Sequence, residues 1–130
     1  MAKLGMKAEP KKRKYPRIRI NPLDKLFSEF IRRRDGFCQR CWGHHNWKGL
    51  QCSHYIKRRF RATRWDEDNC CALCYGCHQY FEENREEYTN FMIMRLGEEK
   101  FDLLLARSRI TKPDKEGLKL YYQEKLKVFK

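Results

Sequence analysis

Apolar residues recur at three- and four-residue intervals after the first 20 residues of the chain. Asn21 is a favoured N-cap, Pro22 suits the first helical position, and Gly36 favours the end of a helix. The pattern therefore predicts a helix from Pro22 to the residue before Gly36, with one apolar face for packing. That face consists of Leu23, Leu26, Phe27, Phe30 and Ile31.

The rest of the pattern predicts a short hairpin followed by helices. Leu50–Ile56 has the character of a strand, and a basic loop joins it to a second element near Cys70–Leu73. A helical run extends from His78 to Gly97, and two further helices follow on either side of Pro113. The last helix starts after Asp114 and carries a stripe that suits either core packing or a dimer contact. The stripe consists of Leu118, Tyr122, Leu126 and Phe129.

A chain of 130 residues fits one domain with a tail. We predict an α+β fold with a basic, disordered and flexible arm over residues 1–20, a core over residues 21–97 and a helical extension over residues 98–130. Hydrophobic residues make up 41% of the sequence, so a small core needs additional stabilisation from cross-links or a bound metal, which seven cysteines can supply. No signal peptide or membrane span is visible, so we expect an intracellular protein whose thiols stay reduced and bind metal.

The formal net charge is +13, and residues 1–20 carry eight basic side chains against one acidic side chain. Such an imbalance suits a polyanion, and we predict DNA rather than an anionic membrane, because no basic helix has a clean apolar face. For the arm, the alternative is a solvated tail that only aids solubility. The predicted DNA-binding residues are Lys11, Lys12, Arg13 and Lys14 in the arm and Lys57, Arg58, Arg59, Arg61 and Arg64 in the loop.

Two Cys-x-x-Cys pairs have the spacing of a structural zinc site. Cys38 and Cys41 form the first pair, Cys74 and Cys77 form the second, and together they predict one closed tetrahedral site. A histidine in the turn after the first pair is an alternative ligand, although four cysteines already complete the site. The other three cysteines are predicted to be small buried hydrophobic residues, any one of which can instead replace a ligand. They are Cys52, Cys70 and Cys71.

Several spaced segments resemble those of known phage proteins. Ser53-His54-Tyr55, Asn69 and Leu73–His78 resemble the ββα-metal motif of His-Asn-His (HNH) endonucleases. Residues 36–105 resemble the phage NinG (Rap) recombination proteins, and the order of cysteine pairs and ligands is similar to that of phage endonuclease VII, a Holliday-junction resolvase. The other matching segments are Thr63–Glu67, Asn84, Glu87-Tyr88 and Leu96–Glu99. The resemblance implies a zinc-stapled ββα-metal (HNH) core that acts on branched recombination intermediates.

Hydrolysis of a phosphodiester needs a base for the attacking water and a divalent cation for the charge on the leaving oxygen. A histidine with an unperturbed pKa near ~6.5 suits the role of the base, and we assign it to His54. His78 follows a zinc-site cysteine and is the predicted ligand of catalytic Mg²⁺ or Mn²⁺, while Asn69 would pin the loop and orient His54. In the nucleases that the chain resembles, the residue before the base is usually Asp or His and binds the metal, but here it is Ser53. Further candidate ligands are Glu82 and Asn84.

The sequence therefore predicts a metal-dependent DNA endonuclease that favours branched DNA such as Holliday junctions and D-loops. An HNH nicking endonuclease on ordinary duplex DNA is the first alternative, and a non-catalytic zinc-finger protein that binds nucleic acid is the second. Resolving a four-way junction takes two opposed cuts, so one site per chain predicts a homodimer. By resemblance, the protein would be a phage protein that acts in the cytoplasm of the bacterial host.

Overall fold

A computed structural model describes residues 20–110 and 112–129. Residues 1–19, nearly all of the predicted arm, lie outside the described residues. The described part combines helices with one two-stranded sheet, which confirms the α+β class. In chain order the elements are α1 (Pro22–Asp35), β1 (Gln51–His54), α2 (Arg61–Arg64), β2 (Cys70–Leu73), α3 (Tyr75–Glu83), α4 (Arg85–Leu96), α5 (Glu98–Ile110) and α6 (Lys115–Leu126), with 3₁₀ turns at Trp47–Gly49, Glu67–Asn69 and Lys127–Phe129.

The first helix has the predicted boundaries. The Asn21 side chain accepts a hydrogen bond of 2.9 Å from the Leu23 amide, which satisfies one of the open donors at the helix start. Gly36 follows the last turn in the left-handed conformation, with φ of 74°, and donates its amide to the Arg32 carbonyl at 2.9 Å. Most of the predicted apolar face is buried, namely Leu23, Phe27, Phe30 and Ile31.

The two strands pair antiparallel, with His54 directly opposite Cys70. The first strand is shorter than the predicted Leu50–Ile56. Its pairing with β2 ends at His54, because both backbone groups of Ile56 bond to the side chain of Asn69 instead of to a strand. The side chain of a single residue therefore sets where the strand stops.

The hairpin lies between two apolar clusters, one on each face. Side chains alternate along a strand, so Ser53 points to one face while Cys52 and His54 point to the other. The Ser53 face joins α3, α4 and α5 in a cluster that contains the stacked rings of Phe81 and Tyr88, whose centroids are 4.5 Å apart. The His54 face is covered by α1 and α6 in a second cluster. The second cluster comprises Leu23, Phe27, Phe30, Ile31, Trp65, Cys70, Tyr122 and Leu126.

The helical run predicted from His78 to Gly97 is in fact two helices, and the first of them begins before His78. The Cys74 side chain caps the first helix, so it begins at Tyr75. Asn84 separates the two, since its backbone is not helical at φ −127° and ψ 69° and its side chain donates to the Tyr80 carbonyl at 2.8 Å.

The apolar stripe of α6 packs within the same chain. Tyr122 and Leu126 are buried against α1, and Leu118 packs at the edge of that cluster. The Tyr122 hydroxyl also donates to the Trp65 carbonyl at 3.1 Å. The core of the same chain therefore already uses Tyr122 and Leu126, while Phe129 is exposed, and a dimer contact on the stripe stays a prediction. Across residues 20–110 and 112–129, none of the helices combines the length and the apolar character that a membrane crossing requires.

Candidate metal centre and histidine site

Four cysteine side chains converge between the end of α1 and the start of α3. The sulfur atoms of Cys38, Cys41, Cys74 and Cys77 all lie within 4.8 Å of one another. Sulfurs bound at about 2.3 Å to one zinc lie about 3.8 Å apart at the corners of a tetrahedron, and those of Cys41 and Cys74 are 3.9 Å apart. This cluster, which we call the four-cysteine cluster, can therefore hold a zinc ion.

The four-cysteine cluster ties three elements together. The Gln39 amide donates to the Ala72 carbonyl at 3.0 Å, which fastens the turn after α1 to β2. The Cys74 sulfur caps α3 by accepting a hydrogen bond from the Cys77 amide at 3.4 Å. A zinc ion held here would therefore fix the position of α3, and with it His78, relative to the hairpin.

Zinc requires ionised sulfur, and the surroundings of the cluster favour that form at Cys38. Burial raises the pKa of the Cys38 thiol, but backbone amides of Cys41, Cys74 and Arg40 outweigh it and lower that pKa to about 7. The Arg40 guanidinium donates to the Cys77 sulfur at 3.4 Å and brings a positive charge to the cluster, but burial outweighs it and raises the pKa of the Cys77 thiol to about 12.

A buried asparagine holds the loop that follows β1. Asn69 is 0% exposed, and its side-chain oxygen accepts from the Ile56 amide at 2.7 Å. Its side-chain nitrogen donates at 3.0 Å to the carbonyls of both Ile56 and Thr63. The Tyr55 amide donates to the Asn69 carbonyl at 2.9 Å. These bonds join the two ends of the basic loop and fix the end of the strand that carries His54.

Asn69→Ala is expected to destabilise the fold by about 3 kcal/mol or more, because it removes the partner of three backbone groups in a poorly solvated place. Urea unfolding followed by circular dichroism should show a lower midpoint at an unchanged slope. Asn90→Ala, on the exposed side of α4, is the matched control and should shift stability by less than about 0.5 kcal/mol. Equal midpoints for the two variants would show that the loop does not depend on Asn69.

His54 lies at the end of β1 with its ring in a fixed orientation. Its Nε2 is 2.8 Å from the Arg64 carbonyl, and because a carbonyl only accepts, Nε2 carries the ring proton and Nδ1 keeps a free lone pair. Burial lowers the pKa of His54 to about 4, and the charges of Arg58 and Arg64 add to this. The expectation of an unperturbed pKa is therefore wrong, since the packing that orients the ring also desolvates it. At neutral pH the side chain is a neutral imidazole.

Asp24, in the first turn of α1, gathers three donors beside His54. Arg58 NH2 and the Trp65 ring nitrogen each lie 2.8 Å from its carboxylate, and the Arg64 Nε lies 2.9 Å from it. Burial raises the pKa of the Asp24 carboxyl, but these donors outweigh it and lower that pKa. The ionised carboxylate therefore ties the basic loop to α1.

A groove of about 550 Å³ runs between α1 and β1, and His54 lies in its wall. Ile20, the first described residue, also lines the groove. The charged lining consists of Lys25, Arg32, Arg58 and Arg64 against the single carboxylate of Asp24.

His78 lies on the other side of the hairpin, in the first turn of α3. Its Nδ1 is 2.6 Å from the Gln51 side-chain oxygen, so Nδ1 carries the proton and Nε2 keeps the lone pair. The Glu82 carboxylate is 4.0 Å from that Nε2 and also pairs with Lys57. Burial lowers the pKa of His78, Glu82 opposes this, and Lys57 adds to it.

Two residues predicted to join His78 are engaged elsewhere. Ser53 is 0% exposed, and its hydroxyl lies 2.7 Å from that of Tyr88. The side chain of Asn84 bonds to a carbonyl at the junction of α3 and α4. Of the three further ligands that the sequence suggests, Glu82 is the one that faces His78, and we drop Ser53 and Asn84 from the set.

His54 and His78 thus belong to two half-sites on opposite faces of the hairpin, whereas the sequence motif suggests a single cluster. The turn after β1 connects the half-sites. Lys57 pairs with Glu82 beside His78, and the next residue, Arg58, pairs with Asp24 beside His54. The turn after β1 therefore contributes one ion pair to each half-site.

The cations predicted to bind DNA divide into three groups. Lys57, Arg58 and Arg64 pair with carboxylates. Arg59 and Arg61 are exposed and have no ion pair within the described part of the chain. The predicted residues of the arm lie outside the described residues.

The family model described as the bacteriophage lambda NinG protein matches residues 3–130, nearly the full length of the chain. This chain belongs to the NinG family. No curated protein and no solved structure matches it. NinG membership agrees with the resemblance that the sequence shows.

Sequence reasoning missed two residues of the half-sites in this NinG chain. Asp24 is an acidic residue in the first turn of a helix, a common position for a carboxylate. Its partner Arg64 is 40 positions away, so no local pattern reveals the pair. Gln51 orients His78 from a strand, and a polar residue on a short strand carries no signal of that role.

Proposed function

We propose that this protein is a metal-dependent DNA endonuclease that acts on branched recombination intermediates. One observation carries the proposal: His54 is a neutral imidazole whose Nδ1 is free, and it lies beside a cationic groove. The Arg64 carbonyl holds the ring, and the hydrogen bonds of the Asn69 side chain hold the end of the strand that carries it. A base must have its proton-accepting atom free and fixed in place before the substrate arrives.

In this mechanism His54 Nδ1 takes the proton of the water that attacks the phosphorus atom. The Arg64 carbonyl keeps the ring in the tautomer that this step needs, and it stabilises the positive ring that the step produces. Asp24 adds a negative charge on the same side, which raises the proton affinity of His54 and partly offsets burial.

The half-site at His78 would hold the catalytic metal. His78 Nε2 and a Glu82 carboxylate oxygen, 4.0 Å apart, offer an imidazole and a carboxylate on one helix face. Bound there, Mg²⁺ or Mn²⁺ would offset the negative charge on the leaving oxygen. Lys57, which pairs with Glu82, would move to the phosphate when the metal takes the carboxylate.

The substrate class rests on the NinG family and on charge. A phosphate at the turn after β1 would contact both half-sites, and the exposed Arg59 and Arg61 lie beside it. The alternatives are nicking of ordinary duplex DNA and binding of nucleic acid without cleavage. If paired cutting needs two chains, the protein should be a homodimer, and the mass of the protein in solution on and off DNA tests this.

Two assays separate these functions. Nicking of a supercoiled plasmid with Mg²⁺ or Mn²⁺ distinguishes a nuclease from a binder, and the absence of any nicking would overturn the proposal. A labelled four-way junction cut in the presence of excess linear duplex tests the substrate. Equal competition by the duplex would favour the plain nicking enzyme.

Cleavage should persist to lower pH than an ordinary histidine base allows. Because the pKa of His54 is lowered to about 4, the base stays unprotonated above that value and is lost only as the pH falls through it. The ring-proton shift of His54 in NMR spectra should therefore titrate near pH 4 in the free protein. A midpoint at the ordinary value near ~6.5 would contradict the buried environment.

Removal of residues 2–19 should weaken binding to every DNA sequence and flatten its dependence on salt. The segment carries many lysines and arginines, and the salt slope falls by about 0.9 for each phosphate that the protein no longer neutralises. Fluorescence anisotropy over a range of salt concentrations measures both effects. A loss of affinity for one sequence alone would show instead that the arm reads bases.

A further inference from the structure

Three side chains on the α1 face of the hairpin form a second group of metal-ligating atoms. His54 and Cys70 are direct cross-strand partners, and Cys52 lies two residues before His54 on the same face. The two sulfurs and one imidazole nitrogen all lie within 4.8 Å of one another. Each of the three also has another proposed role, His54 as the base and the two cysteines as packing residues.

We infer that Cys52, His54 and Cys70 form a second binding site for Zn²⁺ or a similar thiophilic cation, separate from the four-cysteine cluster. Zinc held by these residues would occupy the imidazole nitrogen that the proposed reaction needs. Binding there would therefore switch off cleavage, and this consequence rests on the proposed function. The binding itself does not.

The orientation of the imidazole supports the assignment. A histidine that binds a metal through one nitrogen commonly donates its other N–H to a backbone carbonyl, which fixes the tautomer. His54 Nε2 already makes such a bond, 2.8 Å long, to the Arg64 carbonyl. The nitrogen that stays free is therefore prepared for a metal as well as for a proton.

The spacing of the three ligand atoms suits zinc after small side-chain shifts. Ligands at about 2.0–2.3 Å from a tetrahedral zinc lie about 3.5–3.8 Å apart. The three ligand atoms lie within 4.8 Å of one another, so each separation has at most about one ångström to close. Binding converts both thiols to thiolates, so two protons leave the protein for each zinc ion that binds.

The second site would be open, unlike the four-cysteine cluster. Cys52 and His54 line the groove along α1, so the fourth coordination position faces the solvent of that groove. Three protein ligands with one open position is the arrangement of zinc sites that exchange a ligand. Its zinc should therefore be the first to leave when a chelator is added.

The stoichiometry of metal binding tests the inference directly. Full-length protein titrated with Zn²⁺ against a colorimetric chelator should bind two equivalents, the second more weakly. Cys52→Ala, at the groove, and Cys70→Ala, in the core, should each bind one equivalent. Cys71→Ala is the matched control, because Cys71 is equally buried on the same strand but faces the other side. It should keep both equivalents.

Spectroscopy and cleavage give independent readouts. With Co²⁺ in place of zinc, the second equivalent should add thiolate-to-cobalt absorption in the wild type and in Cys71→Ala but not in Cys52→Ala. In the cleavage assay, the second equivalent of zinc should inhibit the wild type and not Cys52→Ala.

A single equivalent in the wild type, or two in both Cys52→Ala and Cys70→Ala, would overturn the inference. Because Cys52 is only partly buried, its variant keeps the test valid even if Cys70→Ala fails to fold. If the protein cuts no DNA in any metal state, the proposed function fails, and the stoichiometry still decides whether the second site exists.

Discussion

Replacing Cys74 with serine is expected to unfold the protein at ordinary temperatures. Serine removes one of four zinc ligands, and the apparent free energy of zinc binding in small zinc modules is about 10–16 kcal/mol. That is as large as the whole stability of a typical domain, about 5–15 kcal/mol. Circular dichroism should show loss of the cooperative thermal transition, and metal analysis should show loss of zinc.

The choice of serine keeps the test specific. Cys74 also caps α3 with its sulfur, and serine is a good N-cap, so the variant removes the metal ligand while retaining a capping side chain. Cys71→Ala again serves as the control, since it changes a fully buried cysteine outside the four-cysteine cluster. A folded Cys74→Ser protein with an unchanged melting temperature and no zinc would refute a structural metal site.

Local signals predicted the elements whose boundaries are set locally. The first helix begins and ends where Asn21 and Gly36 place it, because both caps act within four residues of the helix end. The end of β1 was not predictable in this way. It is set by the Asn69 side chain, 13 residues further along the chain, and no pattern within Leu50–Ile56 contains that information.

The same distinction applies to the candidate site. Two Cys-x-x-Cys pairs identify the four-cysteine cluster, because the spacing of ligands around zinc is nearly fixed by the metal. The environment of His54 depends on α1 and on the loop, which lie far away in sequence. Its lowered pKa and its separation from His78 by the hairpin therefore appear only in the folded structure.

Replacing His54 with alanine is expected to lower cleavage of DNA by roughly 10²–10⁴-fold, the usual contribution of a positioned general base. DNA affinity and the zinc of the four-cysteine cluster should be retained, because the base acts in the chemical step and the cationic residues remain. Single-turnover cleavage of a labelled four-way junction at saturating protein measures the chemical step apart from binding.

Two further variants separate chemistry from structure in that result. Alanine also removes the bond to the Arg64 carbonyl, so His54→Gln, whose amide can donate to that carbonyl but is not a base, should be equally inactive and more stable. His45→Ala removes a histidine that packs on Phe37 outside the half-sites and should leave the rate unchanged. If His54→Gln cuts at the wild-type rate, the proton is taken by another group and His54 only supports the loop.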